Sequence, residues 1–101
     1  MKIVYLVPGL MPPEEAERRV GLMRKWAAPG TQVDISVVTE GPASIESTYE
    51  ELMAVPATAR LAMEAEAAGY DAAIIGCAGD PGIDAIRELT THMLVVGPGA
   101  T

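Results

Sequence analysis

The sequence of 101 residues predicts an α/β fold, a single four-stranded parallel sheet flanked by helices. Three observations carry this expectation. Four short apolar runs rich in β-branched residues (2–7, 33–38, 72–76 and 93–96) alternate with three segments of helical spacing. The first, third and fourth runs are almost continuously apolar, as strands buried on both faces require. Half the residues are hydrophobic but Phe is absent, so the core must be built from Val, Ile, Leu, Met and Ala. At this length one small domain over residues 1–101 is expected.

Each element has its own justification. Lys2-Ile3-Val4-Tyr5-Leu6-Val7 is too short for a signal peptide core and reads as the first strand. Residues 13–27 form the first helix. Ala16, Val20, Met23 and Ala27 make its apolar stripe, with Trp26 beside it. Glu14, Glu15 and Glu17 load its first turn and Arg24 and Lys25 its last, matching the helix dipole, and Pro29-Gly30 stops it. In the second run Val33, Ile35 and Val37 alternate with Asp34 and Ser36, the pattern of an edge strand. Residues 44–69 form a longer helical region, expected to break into two segments or kink at Pro56. Ser47 and Glu50 fit a capping box there. Leu52, Val55, Ala59, Ala62 and Ala65 are placed to face the sheet, and Gly69 suits the C-terminal cap. The third helix starts with Asp80 as N-cap and Pro81 in the first turn, with Ile83, Ile86 and Leu89 as its apolar side. Right-handed crossovers follow from this βαβαβαβ pattern. By analogy with doubly wound folds the expected strand order is 2-1-3-4.

Composition narrows the function classes. Seven basic against 14 acidic residues give a net charge of −7, which argues against nucleic acid and anionic membrane as partners. No apolar stretch approaches the ~20 residues of a membrane span. The single cysteine excludes an intramolecular disulfide and fits a reducing cytosol, so a cytoplasmic location is expected. The six methionines read as core filler.

That cysteine, Cys77, is the candidate for chemistry. It follows the third apolar run and immediately precedes a helix start. The dipole and free N–H groups of such a junction favour a thiolate. A small buried hydrophobe is the competing reading of the same position. In the expected topology the winding reverses between the first and third strands, and ligands bind beyond the carboxyl ends of strands at such a point. The loops brought together there would be Pro8-Gly9-Leu10 and Gly76-Cys77-Ala78-Gly79, with Glu40-Gly41-Pro42-Ala43-Ser44 at the side.

Candidate substrate contacts are therefore Pro8, Gly9, Ser44, Ala78, Gly79 and Asp80. Ser44 can cap its helix, bind a ligand, or do both, and Asp80 is chiefly an N-cap. Backbone N–H groups at these helix starts suit a carboxylate, an imide or an enolate oxygen.

His92, the only histidine, precedes the fourth strand at the opposite sheet edge, roughly 15 Å from Cys77 for a strand of this length. A Cys–His dyad is not expected, and His92 reads as a solvated loop residue. With one Cys, one His and no metal-ligand spacing, no metal is expected. Gly97-Pro98-Gly99 is not a dinucleotide fingerprint, because no helix follows it. Glu46, Glu50 and Glu51 read as a wet helix face.

Four segments together resemble a known family. They are Glu40-Gly41-Pro42-Ala43-Ser44-Ile45-Glu46-Ser47, Glu66-Ala67-Ala68-Gly69-Tyr70-Asp71-Ala72, Gly76-Cys77-Ala78-Gly79-Asp80-Pro81-Gly82-Ile83-Asp84 and Val95-Val96-Gly97-Pro98-Gly99. From about Pro29 onward the chain resembles the amino-terminal half of the aspartate/glutamate/hydantoin racemase superfamily, closest to its hydantoin and allantoin racemase branch.

The resemblance implies two pseudo-symmetric α/β halves, each giving one cysteine to a cleft between them. One thiolate takes the proton from a carbon next to a carbonyl, and the opposite thiol returns one on the other face, without cofactor or metal. On that likeness Cys77 is the first of the two acid/base cysteines.

Three departures accompany the likeness. Val7-Pro8-Gly9-Leu10 stands where the family usually has an Asn-Pro-Asn-type loop that helps to hold substrate. Ala78 stands where relatives often carry an aromatic. The sequence ends at Thr101, before the family's second half and second cysteine. Three expectations follow. The chain acts on a small molecule bearing a carboxylate, amide or imide, completed by a homodimer that pairs two Cys77 or by a second subunit; or it is a non-catalytic small-molecule binding or interaction remnant of the family; or it is a truncated domain.

Overall fold

The computed structural model describes residues 1–39, 48–76 and 83–97, apart from the side chains of Thr48, Glu50 and Glu51. The chain runs β1 (Lys2–Val7), α1 (Pro13–Trp26), β2 (Gln32–Val37), α2 (Thr48–Ala67), β3 (Ala72–Ile75), α3 (Ile83–Leu89) and β4 (Leu94–Val96). The four strands form one sheet of order β2-β1-β3-β4, every pair parallel. Class, strand count and order are those expected.

Register assigns the two faces of the sheet. Val4, Leu6, Ala73, Ile75 and Val95 share the front face through the pairs Val4↔Ala73, Leu6↔Ile75 and Ala73↔Val95. They form one buried cluster with Ala59, Ala62 and Ala65 of α2, Ile83 and Ile86 of α3, and Met93. Ile3, Tyr5, Val33, Ile74 and Leu94 lie on the back face. There α1 packs toward β2, with Val20 buried. Small alanines on α2 let the helix approach closely, and burying each large aliphatic side chain contributes about 1.5–3 kcal/mol.

The helices carry their own fastenings. Pro13 opens α1, whose first turn closes on the Pro12 carbonyl. Arg18 and Arg19 beside Glu15 hold its carboxyl down at about 2, the Arg18 hydrogen bond contributing most. Arg24 then ties the end of α1 to β2, its Nε donating to the Val33 carbonyl at 2.8 Å.

At the end of α2, Gly69 has φ +93°. The Tyr70 amide donates to the Ala65 carbonyl and the Gly69 amide to that of Glu66, the paired bonds of a Schellman cap. Glu66 reaches from the same turn to the segment entering β4. Its carboxylate accepts from the amides of Thr91 (2.9 Å), His92 (2.9 Å) and Met93 (2.8 Å).

Four expectations are corrected. α2 is one helix running through Pro56, so of the two outcomes expected there the break into two segments does not occur. Pro56 and Leu52 sit on its exposed face, so the Leu52 carbonyl that loses its amide partner can turn to water. For the same reason Leu52, at 66% exposure, does not face the sheet. Leu89 is also exposed, because α3 ends there and only Ile83 and Ile86 point inward. Of the methionines only Met93 is core. Met1, Met53 and Met63 are exposed and Met11 and Met23 half-buried, since branched aliphatics and alanine already fill the interior. The capping box at Ser47, the helix start at Asp80-Pro81, and the side chains of Glu46, Glu50 and Glu51 lie outside the described residues.

Candidate functional site at the carboxyl edge of the sheet

Parallel pairing puts the ends of β1, β2 and β3 along one edge. β1 runs there into Pro8 and Gly9, β2 into Val38 and Thr39, and β3 into Gly76. Backbone bonds hold these exits in line. The Gly76 amide donates to the Leu6 carbonyl at 2.7 Å and the Val38 amide to the Val7 carbonyl at 3.1 Å. Because β1 lies between β2 and β3, successive connections leave it in opposite directions, and this edge is the reversal point expected to bind ligand.

Of the site residues expected from sequence, Pro8 and Gly9 are described and lie at this edge, Pro8 buried and Gly9 half-buried. Ser44, Cys77, Ala78, Gly79 and Asp80 lie outside the described residues. Gly76, the residue before Cys77, is described, and it has a neighbour that sequence reasoning missed. A Cβ at Gly76 would meet Tyr5 Cε1 at 2.7 Å, Cζ at 2.6 Å and Oη at 2.7 Å. The ring therefore occupies the volume a side chain at 76 would need. The signal was present in the register: Tyr5 pairs with Ile74, and Gly76 is the next residue on that face. Val7 is buried at 5% exposure, so β1 brings no hydrogen-bonding side chain to its own exit.

Beside this edge a groove of about 210 Å³ opens between the end of β2 and α2, lined by Val38, Thr39, Ala57, Arg60, Leu61 and Glu64. Thr39 and Arg60 give it polar groups that sequence reasoning also passed over. Arg60 lay in a helical segment read only for its apolar stripe.

The shifted ionisations lie elsewhere. Asp34 is held below the usual carboxylate range, first by the Tyr70 hydroxyl at 2.6 Å and then by Gln32. Glu66 is held down by the amides of His92 and Met93. Tyr70 and Glu66 sit where the chain enters β3 and β4, so both shifts belong to the amino side of the sheet and fasten the fold. His92 is there too, with its side chain 72% exposed and 3.6 Å from Glu66. The solvated reading of His92 holds. Among the described residues no group of three or more His, Cys, Asp or Glu could hold a metal ion. Among them no helix is long and apolar enough to cross a membrane.

Residues 17–100 match the model of a family described as Asp/Glu/Hydantoin racemase. The chain is similar to the hydantoin racemase of Pseudomonas sp. (strain NS671), 46% identical over 55 residues, which are 54% of this chain and 22% of that protein. The hydantoin racemase of Rhizobium meliloti is 44% identical over 59 residues, 58% of this chain and 24% of that protein. For the one from Paenarthrobacter aurescens the figures are 40% over 72 residues, 67% of this chain and 29% of that protein. Among solved structures, allantoin racemase from Klebsiella pneumoniae superposes with a TM-score of 0.88 at 27% identity, covering 99% of this chain and 40% of that one. The chain thus spans less than a third of the length of these curated relatives and two fifths of the structural neighbour.

Proposed function

The chain belongs to the Asp/Glu/hydantoin racemase family, and from that premise we propose that it is one α/β half of a hydantoin racemase-like, cofactor-independent proton-transfer site with Cys77 as the acid/base group. The observation that carries this reading is the family match across the Gly76–Cys77 junction, combined with a β3 exit at the reversal point of the sheet. The chemistry is balanced within the site. A Cys77 thiolate takes the proton from the carbon beside a carbonyl and becomes a thiol, leaving an enolate. A second thiol on the opposite face gives its proton to that carbon and becomes the thiolate. No oxidation or reduction occurs: the electron pair of the C–H bond moves into the enolate and returns on reprotonation, so the net change is confined to C–H and S–H bonds.

The substrate class is a small molecule with a carboxylate, amide or imide next to an acidic C–H, a description that 5-substituted hydantoins satisfy. Pro8 and Gly9 form the β1 side of its site, and Ser44, Ala78, Gly79 and Asp80 contribute backbone or side-chain donors to the developing oxyanion. The facing thiol comes from a partner half across the carboxyl edge, and in this reading that half is a second copy of the chain.

The test is exchange of the C5 proton of a 5-substituted hydantoin in D2O. Wild type is expected to exchange it, and Cys77→Ala, folded to the same circular dichroism, to lose at least ~100-fold, the usual scale of a general acid–base group. Folded wild type with no exchange above solvent overturns the catalytic reading. It would favour the alternative, a non-catalytic binding module, which the buried Val7 and Pro8 at the β1 exit support by leaving no polar side chain there.

A further inference from the structure

The two faces of the sheet are not equally covered. Strands lie about 4.8 Å apart, so the outer two of four are about 14 Å apart. Packed helices sit about 8–10 Å apart, so each face of such a sheet takes two. The front face has two, α2 and α3, in contact with each other. Among the described residues the back face has one. α1 sits toward β2, and beside it a groove of about 460 Å³ is lined by Ile3, Ile74, Leu22, Met23 and Trp26, among others. Farther across, Leu94 on β4 is 61% exposed. Among the described residues this face is short of one helix.

α1 itself shows what that helix looks like. Beyond the stripe on its own sheet it carries a second one, Leu22 (47% exposed) and Trp26 (83% exposed), four residues apart and so neighbours on one side. Surface residues this large and apolar, clustered beside an apolar groove, mark an interaction site.

We propose that a second copy of this chain fills the groove, its α1 lying antiparallel to the first, so that two helices share one layer between two sheets. Under a two-fold axis each α1 covers β1 and β2 of its own sheet and β3 and β4 of its partner's, and each Leu22/Trp26 stripe is buried. Charge favours the same occupant and direction. α1 begins with Glu14, Glu15 and Glu17 and ends with Arg24 and Lys25, so antiparallel copies bring the acidic turn of one toward the basic turn of the other. A parallel pair would oppose like charges. The interface uses the back face and leaves the carboxyl edge free. It is therefore independent of the Cys77 reading.

Trp26 is the only tryptophan, so it reports on the groove directly. Fluorescence, acrylamide quenching and sedimentation are followed from sub-micromolar to hundreds of micromolar protein. With rising concentration the emission of Trp26 is expected to move to shorter wavelength and its quenching to fall, along the curve on which the mass doubles. Trp26→Glu, an exposed position that the fold tolerates, is expected to halve the mass of the wild-type assembly. Leu52→Glu, at another exposed apolar residue, on α2, is expected to leave it unchanged. Lys25→Glu is expected to weaken association by roughly 5-fold or more, and Glu14→Lys in the same chain to restore it.

Tryptophan that stays fully quenchable at every concentration overturns the proposal. So does a mass that Trp26→Glu fails to halve, or protection that does not depend on concentration, the mark of an occupant other than a second copy. Cys77→Ala must not move any of these readings, which separates this interface from the catalytic proposal.

Discussion

Glu66 is the residue on which the most backbone depends. One carboxylate accepts from three successive amides, 91 to 93, and so fixes the path of the chain into β4. Those bonds hold its pKa below the ordinary 4.5, so its contribution to stability is full above that value and is lost as the pH falls through the lower folded value. Glu66→Gln is expected to lower the melting temperature at pH 7, and the difference from wild type to close as both are acidified below 4.5. A gap that stays constant with pH would show that charge is not what the amides hold. Nothing in the sequence pointed to this contact, because its partners are backbone groups 25 to 27 residues away and any side chain could stand above them. The contact of Tyr5 with Gly76 was legible in principle, from strand alternation and register. Cys77, by contrast, was singled out by its place in the sequence alone, at the end of an apolar run and the start of a helix.

At the level of elements, boundaries came out of the sequence well where a chain-stopping residue marks them and poorly where burial alone decides. Pro13, Gly69 and the charged ends of α1 each point to a terminus that the structure has. The stripe Ala59, Ala62 and Ala65 was readable because three small residues at helical spacing have no other purpose than close approach. At Pro56 the expected break was misjudged because the missing amide was weighed without its side of the helix. On the solvent side the orphaned Leu52 carbonyl can take water, and tertiary packing of the alanine face on the sheet carries the helix through. Pro56→Ala restores a donor to that carbonyl and is expected to stabilise the protein by about 1–3 kcal/mol in denaturant unfolding. A destabilised variant would mean that the native chain needs the proline's fixed φ.

Across the whole molecule the topology was the most legible feature. Three uninterrupted apolar runs and one alternating run can be arranged as parallel strands in few ways once crossovers are right-handed. How unequally the two faces are covered was not legible, since the same periodicity describes a helix buried by two neighbours or by one. That inequality sets an order of local stability. The main buried cluster joins β1, β3, β4, α2 and α3, and α1 adds only Val20 as a buried residue outside it. Native-state hydrogen exchange at low protein concentration is therefore expected to release the amides of α1 before those of β1, β3 and the second half of α2. Equal protection of α1 would place it within the cooperative core.

The Tyr5 ring over Gly76 makes strand β1 a handle for redesign. Position 76 cannot accept a substituent while the ring is there, yet trimming residue 5 opens a hole directly beneath the exit of β3. A Tyr5→Ala chain would be a receptor for a compound bearing a matching bump, one that the unmodified protein excludes by shape. Shape-selective binding can thus be built from the underside of the sheet.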